Sequence, residues 1–237
     1  MDADSPDFAI LAAEFEGGRI GPWTRFRARD AFRASDGGTS DVAPGLVLSE
    51  PDLWIECSTL DHGMPCLAFS LQERLRVNVW RAGLDRLGLP VGPWLNVAKS
   101  AVRREAADET LIKTDDDQTV RLGALKEHAL HVARGQRVTY VTDAAFHPEN
   151  VERIVRIAQN ADQLYIEAAF LDADAQIAAE RHHLTARQAG ALARRASVRR
   201  LTTFHYSPRY LDRPDSLHLE AEAAYRDYDR CSNSVVV

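Results

Sequence analysis

The chain has 237 residues, 45% of them hydrophobic and 27% charged, with a formal net charge of −6. That length and apolar share provide for a sizeable buried core, while the net negative charge argues against a generic polyanion binder and leaves room only for a local basic face. No run approaches the roughly 18 consecutive apolar residues that a membrane span needs, and the acidic start, Met1-Asp-Ala-Asp, has neither the basic flank nor the apolar run of an export signal. Cys57, Cys66 and Cys231 form no Cys-x-x-Cys pair and leave an odd thiol, which fits a reducing cytoplasm better than a disulfide framework.

Residues 8–15 are an apolar run that suits a strand or a short helix, and Thr24 to Asp30 alternates strictly, which places Arg25, Arg27 and Arg29 on one face of an extended segment. Such a face is either a charged edge that deters strand addition or a ribbon that meets phosphates. Leu46–Ser49 and Leu53–Ser58 read as two short strands leading to His62, whose neighbour Gly63 permits a tight turn. Cys66–Leu71 continues as a buried strand. Cys66 near His62 has the makings of a nucleophile, but a cysteine in an apolar strand is first of all a small buried hydrophobe.

From residue 76 to 118 the pattern changes. A strand-like Val77–Trp80 is followed by a helical stretch at Ala82–Leu87, a turn-rich run through Pro90, Gly92 and Pro93, and a second helix from about Leu95 to Ala106. Two short helices joined by Gly and Pro suit either a projecting arm or a helical hairpin packed on the core, with Arg81, Arg86, Lys99, Arg103 and Arg104 as cations for phosphates. Asp115–Asp117 reads as a turn. Leu122 to about Ala133 reads as a helix, on which His128 and His131 would form an i, i+3 pair, and an acidic helix is expected from about Leu217 to Tyr228, before a loose tail containing Cys231.

The stretch from Arg137 to Tyr210 reads three times as an apolar strand stopped by a polar residue: Asp143, Glu167 and His205. Pro148 suits a first helical position, with Val151, Ile154 and Val155 at helical spacing behind it. Thr185 and Gln188 form a capping box that opens the next helix. Alternating strands and helices predict an α/β layered core whose ligands gather at the strand ends. Two acids and a histidine on those ends suit a metal site or acid–base chemistry.

The words at these positions resemble the ribonuclease Z family of the metallo-β-lactamase fold. They are Tyr140-Val-Thr-Asp143, Ile166-Glu-Ala-Ala-Phe170, His183-Leu-Thr185 and Leu201-Thr-Thr-Phe-His-Tyr-Ser-Pro-Arg-Tyr210, together with Leu60-Asp-His62-Gly63 and Leu87-Gly-Leu-Pro-Val-Gly92-Pro93 upstream. The resemblance runs from about residue 45 to about 212. It implies an α/β metallo-β-lactamase-like αβ/βα sandwich, a single domain over residues 1–237 with a substrate-binding helical arm at 76–118, and an activity that matures tRNA 3′ ends with two Zn²⁺ ions. His62, Asp143 and His205 are the implied metal ligands, with Asp143 shared between the ions. His183 is the implied proton donor, with Glu167 orienting it and His182 in reserve. Gly92, Pro93, Ser207 and Arg209 are the implied substrate contacts, and Ile166 stands where the family often has histidine.

The family's His-x-His-x-Asp-His motif is not found in residues 1–61. The sandwich is therefore expected to be N-terminally incomplete, to expose sheet, and to pair as a homodimer in the cytoplasm. Two other readings stay open: a remnant that binds RNA or a partner without turnover, and a metallo-hydrolase of small-molecule esters.

Overall fold

The structure is a computed structural model that describes residues 8–213 and 215–226. The strands, in chain order, begin with β1 (Ala9–Ala12), β2 (Phe15–Glu16), β3 (Arg19–Ile20), β4 (Thr24–Arg27), β5 (Ala34–Asp36) and β6 (Leu46–Ser49). They continue with β7 (Leu53–Asp61), β8 (Pro65–Glu73), β9 (Leu75–Val79), β10 (Leu111–Lys113), β11 (Thr119–Arg121) and β12 (Leu130–Arg134). The last three are β13 (Arg137–Val141), β14 (Gln163–Glu167) and β15 (Leu201–Phe204). The helices are α1 (Arg81–Leu87), α2 (Trp94–Arg103), α3 (Leu122–His128), α4 (Pro148–Ala158), α5 (Ala175–Glu180), α6 (Ala186–Arg195) and α7 (Asp215–Arg226). Among the described residues there are two compact units, one within residues 1–48, 55–70 and 139–237 and the other within residues 49–54 and 71–138.

The first unit is built on a sheet of order β15-β14-β13-β8-β7-β6. β14 and β15 pair in parallel, from Leu164 against Leu201 to Glu167 against Phe204, so Glu167 and the residue after Phe204 arrive at the same sheet edge. Alternation sorts the two faces as expected for strands. Leu60, Ala68, Val141, Leu164 and Ile166 are buried in one cluster with Ile154 and Ile157 of α4, Ala189 and Leu192 of α6, and Leu217 and Ala221 of α7. On the opposite side of the same strands Tyr140 is 43% and Tyr165 39% exposed, and Tyr140 stacks on Phe204 with ring centroids 5.1 Å apart. α4 starts with Pro148 at its first position, and α6 opens on the reciprocal Thr185–Gln188 capping box, both as the sequence indicates.

The N-terminal strands form smaller sheets, β1-β4-β5 and β2-β3. Only Arg25 and Arg27 of the expected arginine ribbon lie on β4. The chain leaves the strand for a 3₁₀ turn at Ala28–Asp30, which takes Arg29 out of the alternation.

The second unit has its own apolar core, with Leu84 of α1, Trp94, Leu95, Ala98 and Val102 of α2, and Leu122 and Leu125 of α3. The two helices expected between residues 82 and 106 are α1 and α2, and Asp115–Asp117 lies in the connection between β10 and β11. Gly83 lets α1 approach the end of α3, since a Cβ there would lie 1.8 Å from the His128 carbonyl oxygen.

The helix expected from Leu122 to Ala133 is a correction. It stops at His128, and Leu130–Arg134 instead pairs antiparallel with β9, His131 opposite Asn78. The i, i+2 spacing of Leu130 and Val132 suits a strand and not a helix, and β9 supplies the ladder it pairs with. His128 and His131 therefore do not share a helical face. The expected C-terminal helix is α7, its residues 227–228 and the Cys231 tail falling outside the described residues.

Leu164 is completely buried between its sheet neighbours and the helices. Leu164→Ala should lower unfolding free energy by about 2–5 kcal/mol, measured by urea denaturation. A loss under about 1 kcal/mol would contradict the assignment of this face to the core.

Candidate metal and acid–base site

Three adjacent strands of the first unit deliver the site. Asp143 lies two residues beyond β13, Glu167 ends β14, and His205 follows β15. His183 comes from the connection between α5 and α6. One ligand atom from each of Asp143, Glu167, His183 and His205 can be chosen so that all lie within 4.8 Å of one another. Asp143, with φ 46°, and His205, with φ 61°, occupy the left-handed region, as does His182 with φ 59°. For non-glycine residues that conformation is uncommon and costs stability, and it collects at functional sites.

Glu167 is fully buried. One carboxylate oxygen accepts the Ala144 N–H at 2.7 Å and the other accepts His183 Nδ1 at 2.6 Å. A buried carboxylate needs such partners, and they link the residue after Asp143 to the imidazole. Since Nδ1 carries the hydrogen in that bond, Nε2 is the ring nitrogen of His183 left for chemistry. His205 Nδ1 lies 3.3 Å from Asp143 Oδ1 and 3.5 Å from Glu167 Oε2, and His183 Nδ1 lies 4.0 Å from Asp143 Oδ1. The hydrogen bond to Glu167 holds His183 above the usual histidine value of 6.5; partial burial opposes the shift, and the charges of Glu167 and Asp143 reinforce it.

His62 stands outside the four-residue group and beside it. Its ring centroid is 4.6 Å from that of His183, and its Nδ1 donates to the His182 carbonyl at 2.8 Å, which leaves Nε2 as its open ring nitrogen. Gly63 matters here for two reasons. Its φ is +73°, and a Cβ would sit 3.1 Å from the His182 ring. His62, His183 and His205 share a cavity of about 630 Å³ with Ser207, Arg209 and Arg181. Ser207 caps the short turn Pro208–Tyr210, accepting the Arg209 N–H. Gly92 and Pro93 belong to the second unit, where the Gly92 carbonyl accepts the Leu95 N–H at the start of α2 and a Cβ on Gly92 would meet Asp115 Oδ2 at 2.1 Å.

Imidazole and carboxylate donors suit Zn²⁺ and other borderline divalent ions, and with both Glu167 oxygens already bonded the open donors here are those of Asp143, His205 and His62 Nε2. Donors around tetrahedral zinc stand roughly 3.4 Å apart, given bonds of about 2.0–2.1 Å, and Asp143 Oδ1 and His205 Nδ1 lie 3.3 Å apart. The residues present fit such an ion. Cys66 lies elsewhere in role: its Sγ contacts the Thr142 carbonyl at 3.6 Å, and burial pushes its thiol above the usual range, the reverse of an activated nucleophile.

The sequence reading missed Asp61, His147 and Asn150. Asp61 Oδ1 accepts the Gly63 N–H at 2.7 Å, shaping the turn that presents His62. His147 Nδ1 pairs with Glu149 at 2.8 Å, and its Nε2 lies 3.4 Å from Asp61 Oδ2. Asn150 gave no signal in the sequence, because its use depends on backbone groups of Asp61, 89 residues away, and of Ala145.

Because His183 is held above 6.5, the stability it contributes in the metal-free chain is fully present below its unfolded value and is lost as pH rises through its folded value. An NMR titration of metal-free chain should show His183 titrating above 6.5, and Glu167→Gln should return it towards 6.5. Titration at or below 6.5 in the unmodified chain would contradict the Glu167 contact.

No protein-family model matches the chain. Curated sequences do. Ribonuclease Z of Deinococcus radiodurans is 33% identical over 199 residues, covering 83% of this chain and 57% of that protein. Ribonuclease Z of Thermobifida fusca is 33% identical over 205 residues, covering 85% and 59%. Among solved structures, human tRNase Z, short form, aligns with a TM-score of 0.40 at 18% identity over 70% of this chain and 40% of that one. The metallo-β-lactamase fold protein YhfI of Bacillus subtilis gives 0.41 at 16% identity, over 76% and 46%. At those scores the structural likeness adds nothing to the sequence relationship, and the chain spans a little under three fifths of the two curated relatives' length. The chain belongs to the ribonuclease Z family.

Proposed function

We propose that this chain carries part of a zinc-dependent phosphodiesterase centre acting on tRNA precursors, a reading supported by its kinship to ribonuclease Z. The observation that carries the reading is the convergence of Asp143, Glu167, His183 and His205 within 4.8 Å, beside a cavity lined by Ser207 and Arg209.

When bound, a divalent ion supplies Lewis acidity that polarises a phosphodiester and makes water nucleophilic near neutral pH. Asp143, His205 and the Nε2 of His62 are the residues that would hold it, three protein donors being the usual number in a catalytic zinc site. His183 holds a proton at Nε2 for the departing 3′ oxygen. Glu167 fixes the ring orientation through Nδ1 and raises the fraction protonated at neutral pH. The Arg209 guanidinium offers a planar fork to a non-bridging phosphate oxygen, with Ser207 beside it. Gly92 and Pro93 hold the distal part of the substrate, on an arm at residues 76–118 of a single metallo-β-lactamase-like domain. The chain works as a homodimer in the cytoplasm. Among the described residues no helix is long and apolar enough to cross a membrane.

One fact favours a second reading, an RNA-binding module without turnover. The two-ion centre needs more donors than His62, Asp143 and His205 supply.

The test is zinc content by elemental analysis after chelation and reloading, together with cleavage of a tRNA precursor. The first reading expects at least one ion per chain and a product ending at the mature 3′ position, with Asp143→Ala losing both the ion and at least about 100-fold in rate. Binding of the precursor without retained zinc or cleavage would instead establish the module.

A further inference from the structure

We infer that Asn150 is the positioning residue that holds the His62 turn and the Asp143 loop in register, a role that rests on the metal-site reading above. Asn150 is fully buried at the third position of α4, and its side chain bonds only backbone. Its Oδ1 accepts the Asp61 N–H at 3.0 Å. Its Nδ2 donates to the Asp61 carbonyl and to the Ala145 carbonyl, each at 2.8 Å. Both Nδ2 hydrogens and the acceptor are therefore committed.

The two segments it joins carry different parts of the site. Asp61 precedes His62 and closes the turn through the Gly63 N–H. Ala145 follows Asp143 by two residues, and its N–H returns to the Asp61 carbonyl at 2.8 Å. Between Asp143 and Ala145, the Ala144 N–H goes to Glu167. One amide thus connects the ends of β7 and β13, residues 89 apart in sequence from Asp61 to Asn150. No apolar side chain of that size can satisfy the Asp61 N–H, the second bond to the Asp61 carbonyl or the bond to the Ala145 carbonyl. Only an uncharged group with one acceptor and two donors fits all three partners. An aspartate in its place fails on the same ground, because an ionised carboxylate would face two carbonyl oxygens.

The experiment uses the full chain with Asn150→Ala, Asn150→Asp and, as a control in the same helix, Ile154→Val. Zinc affinity is measured by competition with a chromophoric chelator, and backbone amide hydrogen exchange is followed in the metal-free proteins, with circular dichroism confirming folding. Both Asn150 variants should lose about tenfold or more in zinc affinity, the range seen when groups behind metal ligands are removed. In Asn150→Ala the Asp61 and Ala145 amides should also exchange at least about tenfold faster, while Ile154→Val leaves affinity and both amides unchanged. If Asn150→Ala does not fold, Asn150→Asp decides through its affinity and its Ala145 exchange. Unchanged exchange and affinity in the Asn150 variants, or an equal affinity loss in Ile154→Val, would overturn the inference. If the unmodified chain binds no zinc, the metal-site reading fails, and the exchange of Asp61 and Ala145 alone decides whether Asn150 joins the two segments.

Discussion

The site depends on one buried charge. Glu167 ends a parallel strand with no solvent access, and both carboxylate oxygens are committed, to the Ala144 N–H and to His183. A carboxylate in that position is tolerable only while those partners stay in place. The constraint therefore runs outward: it fixes the peptide after Asp143, the ring of His183 and, through proximity, the setting of His205. The fold supplies the rest by bringing β13, β14 and β15 side by side, so that residues as distant in sequence as Asp143 and His205 meet at one edge.

Backbone strain sharpens the arrangement. Asp143, His182 and His205 each adopt positive φ, at a cost on the order of 1–3 kcal/mol apiece. Each sits where the chain leaves an element and must turn a polar side chain, or in His182 a carbonyl, towards the site. The His182 carbonyl sets the tautomer of His62. The surrounding core of α4, α6 and α7 on the sheet holds these conformations against relaxation. Stability concentrated behind the sheet edge thus permits strain at the edge itself.

Local chemistry made much of this visible in the sequence. Strand alternation, Pro148 at a first helical position and the Thr185–Gln188 box are short-range signals, and each stands in the structure where the residues put it. The words around Asp143, Glu167, His183 and His205 carried the relationship to ribonuclease Z. What escaped was decided by tertiary partners. Leu130–Arg134 became a strand because β9 offered it a ladder, and the short helix α5, with its weakly patterned Ala-Gln-Ile-Ala-Ala-Glu, left little to read. Asn150 was invisible for the same reason, since its value lies in backbone groups of Asp61 and Ala145 that no spacing rule brings near it.

The most direct measurement is X-ray absorption at the zinc edge of the reloaded chain. The account predicts a shell of nitrogen and oxygen donors at about 2.0–2.1 Å with imidazole scattering, and loss of one imidazole in His205→Ala. A sulfur shell at about 2.3 Å, or a spectrum unchanged by His205→Ala, would place the ion elsewhere and contradict it.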